Sequence, residues 1–435
     1  MTALLLILGN FVRRFRRDER GNVALIFALA SIPVILSVGA AIDFSYASMI
    51  STKLNALADA AALAAVDKQA LAQSTDAAKT TAKNMFDAQA GSIARIGSLN
   101  VNVDITESGG TRTAVVSYTA VVQTTFMALA NINTLTVSGQ SNAQSAVPTY
   151  IDFYLLLDNT PSMGVGATPN DVSTMVANTS DQCAFACHDL SDKNNYYNLA
   201  KKLGVTMRID VVRSATQQLM DTATSMEAVP YQFRAAIYTF GASANKAGLT
   251  TITSLTSNLS SAKTAADNVD LMSVNGQNQF NDQDTDYENV LAAMSSAIPN
   301  SGDGSSSASP QKLLFFVSDG VADESNSVTC SQATTGSRCQ EPINVALCTA
   351  MKNRGVKIAV LYTTYLDLPT NAWYNTWIAP FNAGPYGPSV NSQIAANMQS
   401  CASPGLYFEV SPTDGISEAM TALFVKAVQQ ARLTK

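Results

Sequence analysis

Twenty consecutive residues without a charge, Val23 to Ile42, constrain this sequence more than any other feature. A helix rises about 1.5 Å per residue, so this stretch extends about 30 Å, the thickness of the hydrocarbon core of a bilayer. Five arginines lie before it, at residues 13–20, and Asp43 is the first charge after it. The positive-inside rule then predicts a cytoplasmic N-terminus and export of the chain after residue 43.

A cleavable secretion signal is the alternative interpretation of this segment. Signal peptides have an apolar core of about 7–15 residues, which is shorter than the stretch found here, so we expect a retained helix. Pro33 is compatible with a lipid-embedded helix, because neighbouring groups can satisfy the freed backbone carbonyl. The arginine pairs at 13–14 and 16–17 also resemble a twin-arginine export signal, although basic flanks of this kind are common.

The composition narrows the classes of function. Charged residues make up 14% of the chain, and its formal net charge is −6 even with the N-terminal arginines included. The exported part is therefore acidic and repels phosphate backbones, which argues against nucleic-acid binding. His188 is the one histidine in the sequence. A His-rich zinc or di-iron site is thus excluded, and a catalytic triad would have to use this residue.

All six cysteines lie after residue 180, in the part predicted to be exported. An even number of cysteines in an oxidising compartment favours disulfides. Cys183, Cys187 and His188 also differ by one residue from a haem attachment signature and could form a zinc site, but a local disulfide is the simpler interpretation. Proximity in the chain favours Cys183–Cys187 and Cys330–Cys339, which leaves Cys348 to pair with Cys401.

Residues 43–147 are predicted to form a helical stalk and a small α+β unit. From Ser45 to about Ala90 the sequence is rich in alanine, and apolar residues recur at steps of three and four. The run Ala56–Val66 would let another helix approach closely, or is simply a stable helix. From Leu99 apolar and polar residues alternate, which is typical of short β-strands.

A different pattern begins at Ile151. Short apolar strands alternate with helices, which predicts a mostly parallel sheet covered by helices on both faces. Residues 148–435 are thus predicted to form a doubly wound α/β domain, with its binding site at the carboxyl ends of the strands. The predicted strands are Ile151–Leu157, Phe233–Phe240, Lys312–Ser318, Val356–Thr363 and Leu406–Ser411.

Three polar loops are expected to meet at one edge of this sheet. The first strand ends in Asp158–Ser162, the central strand ends in Ser318–Gly320, and Asp284–Tyr287 begins a helix between them. Each loop alone is also compatible with an ordinary turn or helix cap. Together they offer two carboxylates and three hydroxyls, which are hard oxygen ligands that suit Mg²⁺. With so few negative charges around it, such an ion would accept a carboxylate from outside.

Residues 151–435 resemble a von Willebrand factor type A domain, whose metal-ion-dependent adhesion site uses the motif D-x-S-x-S, a separate threonine and a later aspartate. Thr160 replaces the first serine of the motif but keeps a hydroxyl. Thr285 matches the separate threonine, with Thr253 and Thr264 as alternatives. The resemblance implies a bound Mg²⁺, with Mn²⁺ or Ca²⁺ as alternatives. The implied metal ligands are Asp158, Thr160, Ser162, Thr285 and Asp319.

The N-terminal part resembles the TadE/TadG-like pilus-assembly family. The resemblance rests on Arg20–Ala24, the apolar span up to Asp43 and the run Leu54–Ala65. It implies a single-pass protein of the bacterial inner membrane, with residues 1–22 cytoplasmic, residues 23–42 in the membrane and the type A-like domain periplasmic or surface-exposed. It further implies a non-enzymatic role in Tad/Flp pilus assembly or anchoring. Other pilus-assembly proteins, or a surface ligand offering Asp or Glu, would be the partners.

Two other functions are alternatives. A structural, pilin-like filament subunit would be cut after a glycine such as Gly21, with Glu normally five residues later, where this chain has Ile26. A metal-dependent hydrolase could use the aspartates to activate water. The sequence, however, has no nucleophile elbow, P-loop or paired catalytic carboxylates. Membrane retention and protein binding therefore fit the sequence better.

Overall fold

The computed structural model describes residues 20–186, 188–274, 284–325, 338–365, 372–383, 392–410 and 415–433. The chain divides into two compact units, residues 1–147 and 148–435. The predicted fold class is confirmed, since an N-terminal apolar helix and a small α+β unit precede a doubly wound α/β unit with a mostly parallel sheet.

The N-terminal unit combines a long helix with a three-stranded antiparallel sheet. Its helices are α1 (Arg20–Ala64), α2 (Lys68–Leu71) and α3 (Thr75–Ala90), and its strands are β1 (Ile96–Ser108), β2 (Thr111–Gln123) and β3 (Thr134–Ala146). The first half of α1 exposes its apolar side chains, whereas Ile50 and Leu54 in the second half are buried with Phe86 of α3 and Val116 of β2. Within the described residues, α1 is the one helix long and apolar enough to cross a membrane.

The alanine-rich segment is interrupted rather than continuous. Helix α1 ends at Ala64, and two short-chain polar residues begin the next helices. The Asp67 carboxylate accepts the Ala70 N–H at 2.7 Å, and the Ser74 hydroxyl accepts the Ala77 N–H at 3.3 Å. Because such side chains satisfy the free N–H groups of a first turn, they fix helix starts inside a segment that composition alone reads as one helix.

The C-terminal unit is built on a six-stranded sheet of order β13-β12-β9-β4-β6-β7. Its strands are β4 (Ile151–Leu157), β5 (His188–Asp189), β6 (Phe233–Gly241), β7 (Ala247–Thr256), β8 (Ser273–Val274), β9 (Gln311–Ser318), β10 (Glu324–Ser325), β11 (Arg338–Cys339), β12 (Lys357–Thr363) and β13 (Tyr407–Val410). Every residue of β4 and β9, the two central strands, is buried. All neighbouring strands in the sheet are parallel except β6 and β7.

The antiparallel edge strand β7 is absent from the sequence prediction. Its sequence, Ala247–Thr256, mixes threonines with single apolar residues and has no continuous apolar run. It pairs with β6 alone, and no residue of it is fully buried. An edge strand has a neighbouring strand on one side only. Because the side chains of β7 stay partly exposed, its sequence lacks the continuous apolar run that marks the central strands.

Helices cover both faces of the sheet. They are α4 (Pro169–Asn178), α5 (Tyr196–Leu203), α6 (Arg208–Met226), α7 (Leu259–Ala265), α8 (Tyr287–Ala297), α9 (Val345–Lys352), α10 (Ala379–Ala383), α11 (Gln393–Cys401) and α12 (Ile416–Leu433). Phe153 and Leu155 of β4 pack in one core with Leu219 and Phe424 of α6 and α12. The alternate residues of the same strand, such as Leu156, pack in a second core with α8, α9 and α11. The alternation of β4 between two apolar cores is what a doubly wound sheet requires.

The structure forms one of the three expected disulfides within its described residues. Cys348 in α9 is bonded to Cys401 in α11, with a Cα–Cα distance of 5.2 Å. Cys339 is also disulfide-bonded, while its expected partner, Cys330, lies outside the described residues. Cys183 is a free thiol, so the structure does not show the expected bridge to Cys187, which is itself outside the described residues. The Thr179 hydroxyl accepts the Cys183 N–H, and the Cys183 Sγ accepts the Phe185 N–H, so local hydrogen bonds hold this turn.

Candidate functional site

The two predicted carboxylate ligands follow neighbouring strands. Leu157 of β4 pairs with Val317 of β9, and the Asp158 N–H donates to the Val317 carbonyl at 2.9 Å. The chain therefore carries Asp158 and Asp319 to the same edge of the sheet, and both are fully buried. Gly320, with φ of +79°, follows directly and turns the chain away in a conformation that other residues rarely adopt.

The loop after β4 wraps its polar groups around the Asp158 carboxylate. The backbone N–H and the hydroxyl of Thr160 both donate to Asp158 Oδ1, at 3.0 and 2.7 Å. The Thr160 and Ser162 hydroxyls are 3.3 Å apart, and Ser162 is the partly exposed member of the group. Asn159 anchors the loop to the end of β6, because its side-chain amide donates to the Gly241 carbonyl and accepts the Phe240 N–H. Four of the five predicted ligands are thus brought together.

The other carboxylate oxygen of Asp158 is hydrogen-bonded by a residue of β9, which is in turn hydrogen-bonded by a residue of α8. The Ser318 hydroxyl donates to Asp158 Oδ2 at 2.5 Å, and the Tyr287 hydroxyl is 2.5 Å from the Ser318 oxygen. Since Ser318 uses its proton on Asp158, Tyr287 is the donor in the second bond. Ser318 lies in the triplet that the sequence identifies, but the role of Tyr287 depends on where α8 packs.

Thr285, the fifth predicted ligand, lies on the segment that precedes α8. It is buried, and its backbone exchanges two 2.9 Å hydrogen bonds with Asp323. Tyr287, two residues later, contacts Ser318, so this segment lies beside the carboxylates. Within the described residues, however, the Thr285 hydroxyl makes no hydrogen bond to the other four predicted ligands. Its role as a ligand stays a prediction.

Arg208 is a site residue that sequence reasoning missed. It is the first residue of α6, it is fully buried, and its Nη1 lies 3.7 Å from Asp319 Oδ2. Its Nη2 donates to the Thr364 carbonyl at 3.0 Å. Nothing in the local sequence marks this arginine, because it enters the site only through the packing of α6 against the sheet. The site therefore holds a guanidinium beside its two carboxylates.

Burial dominates the electrostatics of the two aspartates. It raises the pKa of Asp158, against the lowering effect of the hydroxyls of Ser318 and Thr160. Burial also raises the pKa of Asp319, the negative charge of Asp158 raises it further, and the Arg208 guanidinium offsets this only in part. Each buried negative charge thus disfavours the other, which is the condition under which a cation between them is stabilising.

The donor set fits a hard divalent cation. Both carboxylate oxygens of Asp319 are buried, and neither makes a hydrogen bond of normal geometry within the described residues, although the Arg208 guanidinium is 3.7 Å away and the Ser162 hydroxyl and the Val321 N–H lie close enough to lower the pKa of Asp319. Unsatisfied buried carboxylate oxygens are costly, and a coordinated cation satisfies them. The described residues contain no cluster of three or more His, Cys, Asp or Glu side chains suited to a metal, so hydroxyls and outside groups would have to complete the shell. Oxygen ligands of this kind suit Mg²⁺, Mn²⁺ or Ca²⁺.

Part of the N-terminal unit matches a family model. Residues 21–78 match the model of a family described as putative Flp pilus-assembly TadE/G-like. These residues are a TadE/G-like segment. It includes most of α1 and the start of α3, so the resemblance seen in the sequence is confirmed for this part of the chain. No curated protein matches the chain.

Among solved structures, two pilus proteins and a mussel byssus protein are similar to this chain. The vWF domain of the type V pili tip protein Mfa5 from Porphyromonas gingivalis has a TM-score of 0.36 and 10% identity, over 66% of this chain and 96% of that one. The pilus adhesin SpaC from Lactobacillus rhamnosus GG gives 0.33 and 11%, over 78% and 35%. Proximal thread matrix protein 1 from the mussel byssus, with a zinc-occupied MIDAS motif, gives 0.32 and 14%, over 65% and 46%. These scores are too low to support a conclusion about function, which has to rest on the sheet order and on the geometry of the site.

Proposed function

We propose that this protein is a membrane-anchored, non-enzymatic component of Tad/Flp pilus assembly or anchoring, and that it binds a protein partner through a metal ion held by Asp158 and Asp319. Helix α1 would cross the bacterial inner membrane once, with the N-terminus in the cytoplasm and the C-terminal unit in the periplasm or at the surface. The TadE/G-like segment supports the pilus association. The observation that carries the adhesive mechanism is the buried Asp158–Asp319 pair, in which the Asp319 oxygens make no hydrogen bond of normal geometry within the described residues and have the Arg208 guanidinium, 3.7 Å away, as counter-charge.

The residues of the site have distinct roles in this proposal. Asp158 and Asp319 hold the ion, while Thr160, Ser162 and Thr285 supply neutral oxygens. The ion would present a coordination position to a carboxylate of the partner, an Asp or a Glu. Because Arg208 already neutralises one of the two carboxylates, the site keeps little negative charge of its own, which favours an anionic ligand from outside.

Cation binding can be tested on the full-length protein in detergent, by calorimetric titration with Mg²⁺ and Mn²⁺. Asp158→Asn removes the charge and keeps one acceptor oxygen, which can serve either Thr160 or Ser318 but not both, and we expect it to weaken binding by about tenfold or more. Ser162→Ala should weaken binding less. Ser305→Ala is the matched control, because its hydroxyl also donates to an aspartate in a turn, Asp303, outside the site. Equal affinities for all of these proteins would contradict the proposed site.

The fifth ligand is tested separately. Thr285→Val removes the hydroxyl and keeps the shape of the side chain, and we expect a weaker Mg²⁺ affinity. Thr253→Val, on the edge strand β7, serves as control for the competing threonines. Unchanged affinity in Thr285→Val with a loss in Thr253→Val would move the ligand to the other position.

The partner can be captured from the rim of the site. Pro161 and Ser162 are partly exposed, whereas Asn159, Thr160 and Met163 are buried. A photo-crosslinking amino acid at position 161 should therefore capture the partner in cells, and chelation of divalent cations should abolish the product. Asp158→Asn in the same background should also abolish it. Crosslinks that persist in both cases would exclude a metal-dependent contact.

A further inference from the structure

We propose that the loop joining β2 and β3, residues 124–133, inserts its apolar side chains into the lipid surface beside α1, so that the N-terminal unit holds the membrane at a second point. This proposal rests on the membrane anchoring proposed above for α1. Hereafter these residues are the 124–133 loop. They include the single 3₁₀ turn Met127–Ala130.

Contacts with α1 fix the height of the loop along the helix. The Cβ that any other residue would add at Gly39 would lie 2.5 Å from Phe126 Cβ, so glycine is what lets the two backbones meet here. One turn later, the buried Asp43 carboxylate accepts the backbone N–H groups of Thr125, Phe126 and Met127, at 2.8–3.1 Å. Gly39 lies within the last turn of the uncharged stretch 23–42, so the loop is held where α1 would leave the hydrocarbon.

The loop presents its apolar side chains outward at that height. The exposed fractions are 37% for Phe126, 75% for Leu129 and 45% for Ile132. There is no charged residue between Arg112 and Asp152, and hence none in the loop. Single apolar side chains are common on protein surfaces, but several large ones exposed together on one loop are typical of an interaction surface.

The loop also satisfies its own backbone, which insertion into an interface requires. The Thr124 N–H donates to the Asn133 carbonyl, the Leu129 N–H donates to the Phe126 carbonyl, and the Ile132 N–H donates to the Met127 carbonyl. The Asp43 carboxylate satisfies the remaining N–H groups at the start of the turn. These bonds reduce the number of backbone groups that insertion would desolvate, while Asn131 and Asn133 keep exposed polar side chains at the end of the loop.

Lipid is the occupant because the exposed surface of the loop is continuous with that of the span. Next to Gly39 and Asp43, α1 exposes Val38 and Ile42 by 57% and 48%. A bilayer that covers those residues also reaches the loop docked on the same turns. On the following turn, the Arg95 guanidinium lies 4.7 Å from the centre of the Tyr46 ring, and tyrosine and arginine are residues favoured at the headgroup level. Along α1, the apolar 124–133 loop is therefore followed by the polar Arg95–Tyr46 pair, in the order in which the hydrocarbon and headgroup layers follow each other in a membrane.

The test places a tryptophan on the loop of the full-length protein in liposomes of phosphatidylethanolamine and phosphatidylglycerol, with and without brominated acyl chains. The two natural tryptophans, Trp373 and Trp377, are replaced by phenylalanine. Leu129→Trp reports on the loop, and Ile132→Trp is a second reporter in case the first perturbs it. Ser108→Trp is the control, because it lies at the other end of the hairpin, about 40 Å away along β2. Ile32→Trp reports on the span.

We expect the brominated lipid to quench Leu129→Trp and Ile132→Trp at least twofold more than Ser108→Trp, with emission shifted to shorter wavelength. Emission from both loop reporters at long wavelength, quenched by aqueous iodide and not by lipid, would overturn the proposal. Short-wavelength emission without lipid quenching, dependent on the protein-to-lipid ratio, would assign the loop to a second copy of the chain and also overturn it. If Ile32→Trp escapes quenching as well, the anchoring itself fails and the loop proposal fails with it, whereas quenching of Ile32→Trp alone refutes the loop and leaves the anchor.

Discussion

Arg208 shows how one buried residue sets the character of the site. A guanidinium 3.7 Å from a carboxylate, with both groups excluded from water, supplies part of the counter-charge that the aspartates need. Burial lowers the pKa of Arg208, and the charge of Asp319 works against that shift. Removing one member of a buried ion pair leaves the other as an unpaired buried charge, which lowers the free energy of unfolding. Replacing Asp319 would therefore also destabilise the protein through Arg208.

Replacing Arg208 should therefore link stability to the cation. We expect Arg208→Met to lower the unfolding free energy by about 3–5 kcal/mol without divalent cations, because two carboxylates remain buried with no counter-charge. Mg²⁺ should restore much of the loss, since binding to the folded state alone stabilises it. Thermal unfolding with and without Mg²⁺ measures both effects.

Arg213→Met on the same helix is the matched control. Arg213 is only partly buried, and it pairs with Asp210 and Asp270 away from the two site aspartates. We expect a smaller loss that Mg²⁺ does not change selectively. A loss in Arg208→Met that is insensitive to Mg²⁺ would mean that Arg208 is structural and does not share the site with a cation.

At the scale of elements, the Cys348–Cys401 bond ties α9 to α11 on one face of the sheet. The two residues are 53 apart in sequence, so the bond closes a long loop in the unfolded chain. The chain-entropy model gives about 4 kcal/mol for a loop of that length. Both cysteines are buried among apolar residues of the second core.

Loss of that bond should appear directly in the stability. The double variant Cys348→Ala/Cys401→Ala should unfold at a lower temperature than the parent. Its free energy of unfolding should be smaller by several kcal/mol. A reducing agent should lower the unfolding midpoint of the parent because it breaks this bond. The double variant, which lacks the bond, should not show this decrease. Cys183→Ala is the control, because Cys183 is a free thiol and its loss should change the midpoint little.

Glu324 in β10 makes the stability of the C-terminal unit depend on pH. Its pKa is raised to about 8, mainly by burial and further by the charges of Asp286, Glu288 and Glu341, while the hydrogen bond from the Glu288 N–H works against the shift. Because the folded state holds this proton more tightly than the unfolded state, stability is fully present below the unfolded value of about 4.5 and falls as the pH rises towards 8.

Glu324→Gln should remove that dependence. Relative to the parent, we expect its unfolding midpoint to be higher by about 2 °C or more at pH 8 and similar near pH 4.5, because glutamine resembles the protonated side chain. Thermal unfolding across this range measures the difference. Equal midpoints at pH 8 would show that the carboxylate is ionised without cost.

At the scale of the whole molecule, each of the two units has its own core. The N-terminal core gathers α1, α3 and the antiparallel sheet, while the C-terminal unit has one core on each face of its sheet. The chain divides into these two units after Val147. Units with separate cores are expected to fold separately.

Expression of residues 148–435 alone tests this. We expect a soluble protein with the Mg²⁺ affinity of the full chain, because Asp158, Asp319 and Arg208 all belong to this unit. Residues 1–147 should instead fractionate with membranes, since α1 is the candidate span. Aggregation of residues 148–435, or loss of cation binding in it, would show that the division is not one of independent domains.

The sequence by itself determined the features that depend on patterns along the chain. The uncharged stretch of α1, the alternation of strands and helices, and the polar ends of β4 and β9 follow from periodicity and composition, and parallel neighbours bring strand ends to one edge. The edge strand β7 and the burial of Arg208 could not be read in the same way. They depend on which helix packs where, and on whether a side chain finds a partner far along the chain. Only the tertiary structure placed a guanidinium beside Asp319 and an apolar loop beside Gly39, because contacts between distant residues leave no local trace in a single sequence.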